Sequence, residues 1–141
     1  MDVVNLTPHR VTVVLDDGSR LDIPPSGVVA RVSVECKKAG EIKIEGRSVP
    51  YYECVPGRVE ADGPIPEARA YIVSRVVAEA VKQGKAPEPL MTHMVFVPAT
   101  GPGFAVRDEQ GRIVGVRALE VVPNPVYAYE KLKKEVGERW E

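Results

Sequence analysis

Four short clusters in this chain combine residue types that could do chemistry. Thr7, His9 and Arg10 surround Pro8. An imidazole titrates near neutral pH and can serve as acid, base or ligand, and the proline would hold it rigidly. His9 is therefore the candidate catalytic residue. The plainer reading is a structural or merely exposed turn histidine, since acid–base work requires reach to a substrate proton. Ser74 and Arg75 stand where an apolar run gives way to a helical pattern. A helix start leaves N–H groups free and carries partial positive charge, so this pair could hold a phosphate or carboxylate; alternatively Ser74 only caps its own helix. Thr100, Gly101 and Gly103, around Pro102, would let backbone approach a ligand closely, with Arg107 following within reach. The segment lacks the ending of a phosphate-cradling loop and the spacing of a dinucleotide fingerprint, and a rigid strand connector is the competing reading. Ser74, Arg75, Thr100, Gly101, Gly103 and Arg107 thus form the candidate ligand-binding set, for a small anion or nucleotide.

The fourth cluster is the pair Cys36 and Cys54, the only cysteines. Each falls in or beside a strand pattern, where free cysteine packs as a small hydrophobe. A disulfide is the alternative, favoured if the source is a hyperthermophile. Composition leans that way: Asn and Gln together number four and Pro 13, the pattern of depleted thermolabile amides and stiffened loops. His9, His93 and the cysteines have no metal-type spacing, so no metal or other cofactor is expected. No nucleophile elbow is present, and Ser74 has no His and acid partner legible in sequence. Lys plus Arg is 19 against Asp plus Glu at 20, so no global field draws the chain to nucleic acid or an anionic membrane. No apolar run approaches the ~20 residues of a membrane span, and Asp2 stands where a signal peptide would be basic. A cytoplasmic location is expected.

These clusters need elements to position them. Val3–Leu6 reads as a first strand, ended before Pro8. Residues 10–15 and 20–23 flank Asp16-Asp-Gly-Ser19 as a hairpin. Val28–Val34 reads as a third strand, Lys37–Gly40 as a turn, and residues 41–44 and 47–54 as a second hairpin around Glu45-Gly46, with Ile42 and Ile44 on one face. From Val55 to Arg69 the apolar pattern lapses into a long loop. Tyr71-Ile-Val73 is a continuous apolar strand, as expected when both faces are covered. Val76, Val77, Ala80 and Val81 then form one stripe, predicting a helix over 75–83 with Ser74 as N-cap and Gly84 as terminator. A strand follows at 94–97, and a third hairpin joins 104–107 to 112–122, with Gly115 as a bulge candidate. Asn124 and Pro125 predict the start of a terminal helix over 125–140. Its stripe of Tyr129, Leu132, Val136 and Trp140 must be buried, either on its own domain or on a second copy.

The expected fold is one α+β domain, with residues 1–123 as core and 124–141 as a C-terminal helix. Its body is a mainly antiparallel sheet or partly closed barrel with one internal helix. A mixed sheet with a parallel crossover around that helix is the alternative.

In Val4-Asn-Leu-Thr-Pro-His9, Ile23-Pro-Pro-Ser-Gly27, Val29-Ala-Arg-Val32, Tyr71-Ile-Val-Ser74, Val97-Pro-Ala-Thr-Gly-Pro102 and Arg107-Asp108 leading to Gly111-Arg-Ile-Val114, the chain resembles a family of small uncharacterised proteins of bacteriophages, prophage-bearing bacteria and some archaea. The likeness spans most of residues 3–119, fits only loosely at Asp62–Pro66, and excludes the terminal helix. It implies no activity, cofactor or site. Two functional expectations follow. The first is a non-enzymatic binding or accessory protein of viral or mobile-element origin, acting through protein contacts and self-associating through the Tyr129 stripe. The second is a small-anion or nucleotide-binding protein, or an enzyme on a phosphorylated ligand, which would need Ser74, Thr100 and Arg107 to converge.

Overall fold

The computed structural model describes residues 2–124. Its strands are β1 (Val3–Asn5), β2 (Val11–Val14), β3 (Arg20–Ile23), β4 (Ala30–Ile44), β5 (Arg47–Ala61), β6 (Ala70–Ile72), β7 (Met94–Pro98), β8 (Ala105–Arg107), β9 (Ile113–Val116) and β10 (Leu119–Val122), with α1 (Arg75–Lys82) between β6 and β7. The α+β class stands, with mostly strands and one short helix among the described residues. The barrel does not. The strands form two separate four-stranded sheets, β1-β6-β7-β10 and β3-β2-β9-β8, and a two-stranded ribbon, β4-β5.

The central sheet is mixed: β1, β6 and β7 run parallel, and β10 returns antiparallel to β7. The unit β6-α1-β7 is the parallel crossover given above as the alternative. All three residues of β6 are buried, so this strand is covered on both faces, which is why it carries no polar residue. Tyr71, Val95 and Val97 pack on one face with Val77, Ala80 and Val81 of α1 and with Val59 of β5. Ile72, on the other face, packs with Val11, Val13 and Val116 of the second sheet, joined by Phe96 and Leu119. The molecule is thus layered as helix and ribbon base, central sheet, second sheet.

The helix follows its sequence signals closely. Ser74 has extended dihedrals and its hydroxyl accepts from Val77 N–H at 3.4 Å, while Gly84 takes φ +74°, the left-handed conformation that ends helices without side-chain strain. The third hairpin is shared between sheets. β9 pairs with β8 and β2, whereas β10 crosses to β7. A register shift opposite Val106–Arg107 places the irregularity beside Gly115, as expected.

Two expectations in the middle of the chain are corrected. Residues 37–40 do not turn, and residues 55–61 are not loop: β4 and β5 are 15-residue partners that pair from Ala30↔Ala61 out to Ile44↔Arg47. The signals that read as breaks have other causes. The register shift between Lys38 and Gly40 absorbs one extra residue. Pro50 and Pro56 are tolerated because each strand of a two-stranded ribbon has an unpaired edge. Cys36 and Cys54 are directly opposite and disulfide-bonded. The expected helix over 125–140, and with it Tyr129, Leu132, Val136 and Trp140, lies outside the described residues. Among the described residues no helix is long and apolar enough to cross a membrane.

Candidate functional site

Because β1, β6 and β7 are parallel, the segments leaving their carboxyl ends share one edge, the place where open α/β sheets bind ligands. A groove of about 560 Å³ opens there. Val73, Val77, Val32 and Pro98 make an apolar lining, and Thr7, His9, Arg31 and Ser74 supply the polar groups. The first-strand turn and the helix start, distant in sequence, therefore do meet.

The turn is held by one buried amide. Asn5 Nδ2 donates to the carbonyls of His9 at 2.8 Å and Ile23 at 3.1 Å, and its Oδ1 accepts from Thr7 N–H at 3.0 Å and Thr7 Oγ1 at 2.7 Å. Every hydrogen-bonding group of the side chain is used, as a buried amide requires. The result fixes Pro8 and His9 on the rim while leaving both exposed. The sequence reading passed over Asn5 and Arg31. The available signal for Asn5 was a lone amide closing an apolar strand in an amide-poor chain.

Of the six residues expected to bind a ligand, three are brought together. Arg75 Nη2 lies 3.4 Å from Thr100 Oγ1 and 3.3 Å from a Glu120 carboxylate oxygen, so Ser74, Arg75 and Thr100 share the carboxyl edge. The ion pair with Glu120 competes with any anion for Arg75. Arg107 instead donates to the carbonyl of Gly111 at 2.6 Å, inside its own hairpin turn. Of the six, only Ser74 lines the groove; Arg75, Thr100, Gly101, Gly103 and Arg107 do not. Arg31, which β4 places on the rim, is exposed and enters no ion pair among the described residues.

This arrangement can bind more readily than it can catalyse. No acid or nucleophile is hydrogen-bonded to the His9 ring among the described residues, and the Ser74 hydroxyl is used in capping. The second histidine is structural: His93 Nδ1 sits 2.9 Å from Thr92 Oγ1 and 3.1 Å from the Pro89 carbonyl, with its ring edge-on to Tyr71. Among the described residues no group of three or more His, Cys, Asp or Glu could hold a metal ion. Among the described residues the one buried titratable group with a shifted pKa is Tyr71, where burial pushes the phenol above its ordinary value; it donates to Pro66 O at 2.8 Å and accepts from Ala68 N–H at 3.1 Å.

A second surface lies away from the groove, on the outer half of the β4–β5 ribbon. Cross-strand partners share a face, and faces alternate along the strand. The pairs Ile42↔Val49, Gly40↔Tyr51 and Ile44↔Arg47 therefore stand on one side, and Glu41↔Pro50 and Lys43↔Ser48 on the other. The second side combines an internally bonded polar group with the exposed ring of Tyr52, which pairs with Lys38. Lys38 and Ser48 both donate to Glu41, at 2.9 and 2.8 Å, and hold its carboxyl below the usual carboxylate range. The first side is apolar and uncovered, with Ile42, Ile44, Val49 and Tyr51 exposed by 55, 53, 38 and 50%. Of these four, only Ile42 and Ile44 were placed together from sequence. Gly40 leaves room for the Tyr51 ring, since a Cβ there would lie 2.5 Å from the phenol oxygen.

The strands and the helix define a layered α+β fold with an exposed two-stranded ribbon. No family model, curated protein or solved structure matches the chain.

Proposed function

We propose that the chain is a non-enzymatic binding or accessory protein, of viral or mobile-element origin, that acts through protein contacts made by the β4–β5 ribbon. The origin rests on the sequence resemblance alone. The contacts rest on one observation: the outer half of the ribbon leaves Ile42, Ile44, Val49 and Tyr51 bare on one face, with Tyr52 exposed on the other. A two-stranded hairpin is marginal by itself in water, and contiguous exposed apolar surface marks interaction sites. A photo-cross-linker at position 42 of the full chain tests this reading. Adducts with polypeptide, competed away by wild-type chain but not by the Ile44→Ser/Val49→Ser variant, are expected. An absence of adducts would sink it.

The groove supports a second reading, a small anionic ligand with an apolar body held between the valine lining and Arg31, with Ser74, Arg75 and Thr100 alongside. The observation favouring it is the unpaired Arg31 on the rim of the parallel-strand edge. Ligand binding to the folded state alone raises stability by about 2.7 kcal/mol at 100 times the dissociation constant. A thermal-shift screen of carboxylates and phosphates, with hits lost in Arg31→Ala and retained in Arg107→Ala, is the expected outcome. Equal loss in both variants would count against the groove.

A further inference from the structure

We propose that the Cys36–Cys54 disulfide is a redox-sensitive latch, which a soluble dithiol opens in the folded chain and whose opening frees residues 38–52 of the ribbon while its base and both cores stay folded. The latch depends on the bonding within the ribbon and needs no partner on either face. The base is tied to the body. Ala30 and Val59 are buried in the helix-side core with Val32 packed against it. Val59 N–H donates to the Lys85 carbonyl at 2.7 Å, and Lys85 Nζ donates to the Pro56 carbonyl at 3.0 Å. Beyond the bridge such ties end. Every residue from 41 to 55 is exposed, and the side-chain hydrogen bonds there, from Lys38 and Ser48 to Glu41, stay within the ribbon.

The ladder is also interrupted on both sides of the bridge, by register shifts between Val32 and Val34 and between Lys38 and Gly40. Such an irregularity leaves a residue unpaired and weakens the pairing around it. The disulfide therefore lies in a short regular stretch, Val34↔Pro56 to Lys38↔Tyr52, between two weak points. A two-stranded hairpin is marginal in water, so the outer ribbon depends on this covalent tie. Its sulfurs can be reached, since Cys36 and Cys54 are both exposed. Alternation puts Glu35 and Glu53 on the other side of the ribbon, where Glu53 stands opposite Lys37. On the disulfide's own side the flanking pairs carry no carboxylate, and Glu41 further out is held by Lys38 at 2.9 Å. An anionic thiolate thus meets no adjacent unpaired carboxylate of the ribbon. It attacks one sulfur, the Cys36–Cys54 bond breaks, and the other cysteine leaves as a thiolate that takes a proton. The second thiol of the reagent then displaces the first cysteine, and the reagent departs as a disulfide, two electrons and two protons having passed to the protein. Exposed disulfides are the labile ones. Reversal is favoured by the tip, where Glu45 and Gly46 take φ +50° and +77°, the backbone of a tight hairpin turn that keeps the strands adjacent. The oxidation state of the surroundings thereby sets whether the outer ribbon is held in register.

Treatment of the full chain with dithiothreitol in the absence of denaturant tests the inference, with thiols counted by alkylation and mass spectrometry and amide exchange followed on the same samples. Both cysteines are expected to resist alkylation before reduction and to be alkylated after it. The bridge closes a loop of sequence separation 18, and releasing such a constraint shifts an opening equilibrium by on the order of a hundredfold. Exchange over 38–52 should quicken to that extent, exchange in β6, α1 and β7 should not change, and oxidised glutathione should reverse the effect. Cys36→Ser/Cys54→Ser should show the quickened exchange without reagent and no response to it. Cys36→Ala, which leaves the Cys54 thiol without its partner, should take up glutathione from oxidised glutathione while folded. A bridge that is reduced only in denaturant strong enough to unfold α1 overturns the inference. So do cysteines that stay open to alkylation after oxidised glutathione. Reduction that leaves exchange over 38–52 unchanged overturns the latch, and so does quickening that extends equally to α1.

Discussion

At position 5 a single side chain does what several would do in a looser turn. Asn5 Nδ2 faces two carbonyls and Oδ1 faces two donors, so its replacements are not equivalent. Asn5→Ala leaves the Thr7 N–H and the Ile23 carbonyl without this partner, while the Thr7 hydroxyl and the His9 carbonyl keep each other at 3.0 Å, at roughly 1–3 kcal/mol for each group that water cannot reach. Asn5→Asp keeps the acceptor but aims oxygen at the His9 and Ile23 carbonyls. Urea unfolding should show a loss of about 3 kcal/mol for alanine and more for aspartate at neutral pH. Aspartate tolerated as wild type would refute the assignment. Little of this was legible beforehand, because the Ile23 carbonyl is 18 residues away and a short polar residue before Thr-Pro reads simply as a strand end. Tyr71 carries a pH signature. Its phenol is held neutral above the ordinary 10.0, so the unfolded chain releases that proton first. The stabilisation is complete below pH 10 and declines as pH rises beyond it. Tyr71→Phe should cost about 1–2 kcal/mol near neutrality, through the unmet Pro66 carbonyl and Ala68 N–H. It should also remove that component of the alkaline slope, and an unchanged slope would show that other groups govern it.

Elements differed in how plainly they announced themselves. The helix was readable because three independent signals agreed: a 3.6-residue stripe, a serine before it and a glycine after it. Ser74→Ala should therefore cost about 1 kcal/mol through the lost cap, with Ser74→Gly costing less. The ribbon was read as two shorter pieces because Lys37–Gly40 and the prolines of β5 carry the residue types of turns. In a ribbon those residues need not break anything, since an unpaired edge lies on each strand and Gly40 serves the Tyr51 ring. The disulfide ties this element at its middle, and constraint of the unfolded chain is worth on the order of 3 kcal/mol for loops near 15 residues. Its effect should be local. In Cys36→Ser/Cys54→Ser, amide exchange over 38–52 should quicken at low protein concentration while that of α1 stays unchanged, as expected when an element opens separately from the core. Equal quickening in both would mean that ribbon and core unfold as one.

On the scale of the whole molecule, the central sheet couples two cores that share no side chain. Tyr71 and Ile72 are adjacent, yet the first belongs to the helix side and the second to the second-sheet side. That both faces of β6 are covered was visible in its unbroken apolar run. Which layers cover them was not, because pairing of β1 with β6, and of β2 with β9, joins segments far apart in sequence. Ile72 is fully buried between β2, β9 and the neighbouring strands, so Ile72→Ala should cost about 2–5 kcal/mol and lower the midpoint by on the order of 10 °C. The informative readout is its distribution. A strand sandwiched between two layers cannot loosen toward one alone, because its backbone pairs hold both faces in register. Exchange in α1 and in β2 should therefore accelerate together in Ile72→Ala. The same measurement on Val116→Ala, whose side chain reaches only the second-sheet core, should accelerate β2 and β9 more than α1. A uniform response to both substitutions would mean that the layers are one cooperative unit regardless of which face is cut. Acceleration of β2 alone in Ile72→Ala would mean that the second sheet can detach from the central one.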